Sequence, residues 1–215
     1  MAEITTFGDL KGELTGYMFH SRFAARYEHA TQMFERVASR RLRTKWQERF
    51  QNITTQFGIG DVPTDYATWR TLLWKKQWIE LDYVHPAYFR TNPNIDADST
   101  GNPEIFSLEN QTLYIAPQDN TPAAFEFHYY CKVLTITDGP QGSNWLLLRW
   151  PDVYLNGVLF ELFKLQRNLE AAQMYKQLRD EIFAEIIQSS ALETAAPSSK
   201  VRGAGSALGS GGEYF

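Results

Sequence analysis

The segment that most constrains the fold spans residues 143–190, where apolar side chains recur at helical spacing for longer than anywhere else in the chain. Asn144 is a good N-cap residue, and Pro151 suits the first turn of a new helix while it interrupts the helix before it. We therefore predict two helices that meet near Trp150, with a break in the second near Asn168.

The second of these helices carries a long apolar stripe. Its members follow one another at spacings of mostly three or four residues, and they are Leu155, Leu159, Leu162, Leu165, Leu169, Met174, Leu178, Ile182 and Ile186. Such spacing predicts one buried helix face. The charged side chains expected on the opposite, exposed side are Lys176, Arg179, Asp180 and Glu185.

Two further helices are predicted near the N-terminus, over residues 6–18 and 23–42, because apolar side chains again recur at helical spacing. Cations gather where the second of them ends, and they are Arg36, Arg40, Arg41, Arg43 and Lys45. One interpretation is a solvated helix end whose cations complement the helix dipole. The other is a contact with a polyanion or an acidic partner, or a channel lining, for which Arg40, Arg41 and Arg43 are the candidates.

Residues 46–138 have a different character, since short alternating runs are separated by Pro, Gly, Asn and Asp. Ile79, Leu81 and Tyr83 are predicted to share a buried strand face, and so are the apolar members of a run from Phe125 to Val133. A tight turn is predicted at Glu109-Asn110. These signals indicate a β-rich insertion folded as a small antiparallel sandwich or a curled sheet.

The predicted fold class is α+β, with a helical bundle core, an antiparallel β-rich insertion and an extended C-terminal tail. The corresponding segments are residues 1–45 and 143–190 for the core, 46–138 for the insertion and 191–215 for the tail. The tail is rich in Ala, Gly and Ser and has no apolar period, so we expect it to be disordered unless a partner binds it.

Composition excludes several classes of protein. A formal net charge of -4 argues against a protein that mainly coats nucleic acid. With one cysteine, Cys131, a single chain cannot form a disulfide or a cysteine-based metal site. No apolar run approaches the length of a membrane span, and the N-terminus lacks the features of a signal peptide, so we expect an intracellular, non-membrane protein.

The sequence offers only weak signals for a metal, cofactor, catalytic or stacking site. The four histidines, His20, His29, His85 and His128, match no metal-binding spacing, and no cofactor motif occurs. Residues Asn94, Asp96, Asp98 and Thr100 alternate as calcium ligands do, but Ser99 and Ile105 stand where such a loop needs Gly and Glu, which favours an ordinary Asx-rich loop. Glu80 and Asp82, on one face of a predicted strand, could be a catalytic pair or a solvated surface. Tyr66, Trp69, Trp74 and Trp78 could stack on sugars or bases, but core and interface packing is the preferred interpretation.

The order of several motifs along the chain resembles one family. These motifs are FGDLKGELTGYMFHSRF, FERVASRRLR, DVPTDYATWRTL, ELDYVHPAYF, NPEIFSLENQTLYIAPQDN, EFHYYCKVLTITD and, most distinctively, SNWLLLRWPDVYLNGVLFE. Together they resemble the head-tail adaptor (connector) proteins of tailed bacteriophages over nearly the whole length. The tail departs from the family pattern because it is long and rich in Gly and Ser.

The resemblance implies a structural, non-enzymatic protein of the virion neck that is assembled in the host cytoplasm. It implies a ring of about twelve copies beneath the portal, which extends the channel for DNA and docks a tail, nozzle or stopper protein. No cofactor, metal or membrane is implied. The tail side chains with bulk or charge are the expected portal contacts, and they are Lys200, Val201, Arg202, Leu208, Tyr214 and Phe215.

Two other functions remain open on the sequence alone. The Trp-rich insertion could bind a glycan or another ligand on a helical scaffold. The chain could also be a peptidoglycan hydrolase that acts during DNA entry, in which case Glu80 and Asp82 would be the catalytic carboxylates.

Overall fold

The computed structural model describes residues 3–17, 25–91, 95, 99–119, 122–138 and 141–195 of the chain. The fold is mixed α+β. The helices are α1 (Phe7–Tyr17), α2 (Tyr27–Arg41), α3 (Pro86–Thr91), α4 (Trp145–Arg149), α5 (Pro151–Leu165) and α6 (Leu169–Ala195), with a short 3-10 helix at Lys45–Gln47. The strands are β1 (Glu48–Thr55), β2 (Ile59–Asp61), β3 (Tyr66–Trp74), β4 (Ile79–Glu80), β5 (Asp82–Tyr83), β6 (Ile105–Glu109), β7 (Thr112–Ala116) and β8 (Ala123–Cys131). In these ranges no helix combines the length and apolarity needed to cross a membrane.

One hydrophobic core joins α1, α2, α4, α5 and α6. Phe34 of α2 lies in it, with its ring edge-on to Tyr154 at 4.8 Å and stacked on Phe183 at 6.1 Å between centroids. Gly157 allows this packing, because a Cβ there would lie 2.1 Å from Cδ2 of Phe34. The absence of a side chain at Gly157 therefore sets how closely α2 approaches α5.

The predicted start of α4, the α4–α5 junction and the α5–α6 break are confirmed, whereas α6 extends to Ala195, beyond the predicted end at residue 190. The Asn144 side chain accepts a hydrogen bond from the Leu147 amide at 2.9 Å, as an N-cap does, and α5 begins at Pro151. The predicted break near Asn168 separates α5 from α6, with Arg167 in the left-handed region at φ 60°. Local backbone chemistry thus fixes where these helices start and stop.

The prediction of one continuous buried stripe is wrong in part. Leu159, Leu162 and Ile186 are fully buried. Several other members are exposed, and they are Leu165, Leu169, Met174 and Leu178. Arg179, expected outside, is only 4% exposed, because its guanidinium lies over the rings of Phe160 and Phe183 and donates to Asp180. The buried face of α6 is therefore rotated away from much of the leucine stripe.

Leu159→Ala is expected to lower the unfolding free energy by about 2–5 kcal/mol, since Leu159 is fully buried and its truncation leaves a cavity in the helical core. Chemical denaturation measures the change. Leu165→Ala is the matched control, because it removes the same atoms from an exposed position near the end of α5. Equal losses for the two variants would show that Leu159 does not belong to the core.

In its described residues, the insertion contains two four-stranded sheets. The first has the order β1-β8-β3-β4 and is antiparallel throughout. The second has the order β2-β7-β6-β5, and its β5–β6 pair is parallel. The sheets share a second hydrophobic core to which both contribute, for example Phe127 from β8 and Phe106 from β6. As predicted, β8 buries alternate side chains from Phe125 onward.

Two local predictions in the insertion need correction. Only Leu81 is buried in the predicted strand around it, whereas Ile79 and Tyr83 are exposed. The reason is that the chain crosses from the first sheet to the second at Leu81, so β4 and β5 pair with different neighbours. The turn predicted at Glu109-Asn110 is centred one residue later, on Asn110 and Gln111, which have positive φ angles of 49° and 69°.

The insertion is attached to the helices where β8 ends and where α2 leads into β1. The Val133 amide donates to Oγ of Ser39 at 2.9 Å, and Nε2 of Gln47 donates to the Cys131 carbonyl at 3.1 Å. The Lys45 amide donates to Oγ of Ser190 at 2.9 Å, which attaches the segment between α2 and β1 to α6. The fold therefore holds α2 against the end of β8.

Candidate functional site

A groove of about 810 Å³ lies between α2, the start of β3 and the segment that follows β8. Its cationic side chains are Arg36, Arg40, Arg43 and Lys132, and its apolar lining includes Met33, Ala67 and Val133. We call this set of residues the basic groove. Arg36, Arg40 and Lys132 are exposed, whereas the apolar members are half-buried or buried. The groove therefore combines exposed positive charge with a less exposed apolar part, which we call its floor.

Helix α2 positions most of these cations. Phe34 and Ala38 face the helical core, which turns Arg36 and Arg40, four residues apart, toward the groove. Arg43 follows the helix, and its guanidinium donates to the carbonyl of Ser39 at 2.6 Å. Such a contact satisfies a carbonyl in the last turn and complements the helix dipole, as one of the sequence interpretations expected for this segment.

Lys132 comes from the other side of the groove, just after β8, and the sequence prediction did not include it. Its amide donates to the Asp65 carbonyl at 2.7 Å, and its Nζ donates to the Thr64 carbonyl at 3.1 Å. These bonds hold the segment across from α2. No local pattern links Lys132 to Arg40, because only the tertiary fold brings them together.

The groove cations are available to a partner. Within the described ranges, none of the four forms an ion pair. The acidic residue among the groove's described lining is Glu35, which is only 4% exposed and is already hydrogen-bonded within the protein. An anionic ligand would therefore meet unpaired positive charge.

Glu35 belongs to a buried network beneath the groove. Its Oε1 accepts hydrogen bonds from the Ile136 amide at 2.9 Å and from the Tyr154 hydroxyl at 3.1 Å. Nδ2 of Asn144 donates to that hydroxyl at 2.5 Å. Burial raises the pKa of Glu35 above its usual value, and burial beside Glu35 raises the pKa of Tyr154 well above 10.0. The network links α2, α4, α5 and the segment after β8.

Arg41 is separate from Arg40 and Arg43, although the sequence grouped the three. Its guanidinium pairs with Asp180 of α6 and lies 5.1 Å from the centroid of the Phe183 ring. This contact attaches α2 to α6 and does not line the groove. The structure thus divides the predicted cluster between two sides of the helix.

The carboxylates of the hydrolase alternative do not share a strand. Glu80 lies in β4 of the first sheet and Asp82 in β5 of the second, with buried Leu81 between them. Both residues are exposed. The prediction that they occupy one face of one strand is therefore wrong.

The aromatic residues of the glycan alternative do not form one platform. Trp74 is buried in the β core, and Trp69 is half-buried and stacks on Tyr83 at 4.7 Å between centroids. Trp78 is exposed in the turn after β3, at a positive φ of 56°. Packing in the core thus accounts for Trp74, as the preferred interpretation stated, while Trp78 remains at the surface.

Other predicted site residues lie outside the described ranges. They are Asn94, Asp96 and Asp98 of the Asx-rich loop, His20, and the six tail residues Lys200, Val201, Arg202, Leu208, Tyr214 and Phe215. Among the residues that the structure does describe, no group of three or more His, Cys, Asp or Glu side chains is placed to hold a metal ion.

The chain is similar to one known protein family over most of its length. The family model described as SU10 adaptor protein matches residues 5–202. Each of the helices and strands given above falls inside this range. A comparison with curated proteins gives no match.

Proposed function

We propose that this chain, which belongs to the SU10 adaptor protein family of phage adaptors, is a structural head-tail adaptor of a tailed bacteriophage. In this proposal about twelve copies form a ring beneath the portal, as closed cyclic assembly of identical subunits permits. The ring extends the channel through which phage DNA passes without sequence recognition, and it docks a tail, nozzle or stopper protein.

The observation that carries the proposal is the extent of the family match. It covers residues 5–202, a range that includes both hydrophobic cores and the segments that connect them. The match therefore does not depend on a single motif. A second support is the surface of the single copy, where unpaired cations line a groove and large apolar side chains such as Met174 and Leu192 are exposed on α6. Such surfaces are typical of proteins that assemble with partners.

We assign a role in the proposed assembly to each of the four predicted segments. Residues 1–45 and 143–190 form a helical bundle that builds the ring, and residues 46–138 form an insertion that faces neighbouring copies or the tail. The predicted tail, residues 191–215, continues α6 as far as Ala195, and its six bulky or charged side chains beyond that point bind the portal. The protein acts in the virion neck after assembly in the host cytoplasm, and it performs no catalysis.

The alternative functions receive less support. A hydrolase would need paired carboxylates, whereas Glu80 and Asp82 belong to different sheets. A glycan-binding module would need an exposed stacking surface, whereas Trp74 is buried.

Reconstitution with the cognate portal tests the proposal. Purified protein is mixed with portal rings, and the particles are imaged and weighed by mass photometry, with the portal alone as the baseline. We expect a cap of about twelve copies on one end of each portal. Portals that bind no copy, or that bind copies without forming a closed ring, would refute the proposed role.

A further inference from the structure

Helix α6 has a second surface that the helical core does not cover. Its residues recur at spacings of three, four or seven, which places them on one helix face, and they are Glu170, Met174, Leu178, Glu181, Glu185 and Leu192. All six are exposed. We call this set the acidic α6 face.

The acidic α6 face combines negative charge with apolar area. It contains three glutamates and no cation. Arg179 is buried on the core side of α6. Lys176 lies nearly opposite the acidic α6 face, because it is two residues away from both Met174 and Leu178. Met174, Leu178 and Leu192 are 52%, 40% and 65% exposed. Three large apolar side chains in one line on a solvent-facing helix indicate a surface that another protein covers.

The basic groove has the complementary properties. Its cations Arg36, Arg40, Arg43 and Lys132 make no ion pair within the described ranges, and its floor contains Met33 and Val133. A nucleic acid backbone would satisfy the cations but would offer no side chain to the apolar floor. A helix that presents glutamates and aliphatic side chains together satisfies both.

We infer that the acidic α6 face of one copy docks in the basic groove of the next copy. The two surfaces share no residue, so the contact is heterologous and each copy has one of each half. Repetition of such a contact produces a closed ring when the rotation between copies permits closure. This inference rests on the proposed adaptor ring and names the surfaces that join its subunits.

The charges make the contact dependent on salt and selective for an acidic partner. Glutamates facing arginines attract over a distance of about 10 Å at 0.1 M salt, so the association should weaken as salt rises. The apolar side chains supply area that does not depend on salt. A wrong partner without acidic residues would bury the groove cations unpaired, which is unfavourable.

Charge reversal tests the contact with two variant chains. The groove variant carries Arg36→Glu and Arg40→Glu, and the helix variant carries Glu181→Arg and Glu185→Arg. All four positions are exposed, so both variants should fold. Sedimentation equilibrium of each full-length chain at low salt should show the copy–copy dissociation constant raised by about tenfold or more, because each variant then presents two surfaces of like charge.

An equimolar mixture of the two variants should recover association. The acidic groove of the groove variant then binds the basic helix face of the helix variant. The unchanged acidic helix face of the groove variant binds the unchanged basic groove of the helix variant, so the two variants alternate in the assembly. A general loss of folding or solubility could not produce this recovery. Lys176→Glu is the control, since it reverses an exposed charge on α6 away from the acidic face and should leave association unchanged.

The outcomes separate this inference from the proposed function. A wild-type chain that stays monomeric at low salt up to high concentration, or a mixture that associates no better than its components, overturns the contact. If the mixture fails while wild-type rings still form on the portal, the adaptor role stands and the subunits meet through other surfaces. If the mixture recovers but no ring forms on the portal, the contact stands and the adaptor role is wrong.

Discussion

Deletion of residues 196–215 is expected to abolish binding to the portal while the remaining chain stays folded. The deletion removes no described residue, since α6 ends at Ala195 and both hydrophobic cores lie before it. A segment rich in Gly, Ala and Ser loses much conformational entropy when it becomes ordered, so its partner must supply compensating contacts. The side chains able to make them are Lys200, Val201, Arg202, Leu208, Tyr214 and Phe215.

The measurement compares full-length and truncated chains on immobilised portal, with helix content and thermal unfolding as checks of folding. A full-length variant in which the six side chains are replaced by Ser should fail as the deletion does. The matched control replaces only small residues, Ala204→Gly and Ser206→Gly, and should bind normally. Near-normal binding by the truncated chain would show that the tail is not the anchor, and the helix ends around Arg40 and Trp150 would become the leading candidates.

Glu35→Ala is expected to lower the unfolding free energy by about 2–6 kcal/mol, because it leaves two buried donors without an acceptor at about 1–3 kcal/mol each. These donors are the Ile136 amide and the Tyr154 hydroxyl, which now donate to Oε1 of Glu35. Urea denaturation measures the loss. A change as small as that of Glu104→Gln, which alters an exposed carboxylate outside both hydrophobic cores, would show that the network contributes little.

Glu35→Gln should behave differently, since it keeps an acceptor oxygen and removes the charge. Burial raises the folded-state pKa of Glu35 above its value of 4.5 in the unfolded chain, so folding favours the protonated acid. This contribution to stability is fully present below the unfolded pKa and is lost as pH rises through the folded pKa. The stability of Glu35→Gln relative to the wild type should therefore increase from pH 4.5 toward neutral pH.

Denaturation series at several pH values on both chains measure that difference. Glu104→Gln serves again as the control, because its carboxylate is exposed and its replacement should change stability little. A Glu35→Gln difference that does not change with pH would contradict a buried, raised-pKa carboxyl at this position.

The family resemblance drawn from the motifs is confirmed by the match over residues 5–202. The mixed α+β class was also predictable, since helical and alternating periods occupy different parts of the chain. The site was predictable only in part. Arg40 and Arg43 line one groove, whereas Arg41 lies on another side of α2 and pairs with Asp180. Lys132 was missed because it lies far away in sequence.

Local signals in the sequence determined where elements begin, end and alternate. Asn144 caps α4, Pro151 starts α5, and the period of two along β8 buries every second side chain, because each of these effects depends on a few neighbouring residues and their backbone geometry. Tertiary structure alone decided which apolar face of α6 is covered, since apolar side chains lie on several of its faces and periodicity does not say what packs against them. It likewise divided Glu80 from Asp82 at Leu81, because strand pairing is set by distant partners and not by the alternation of the strand itself.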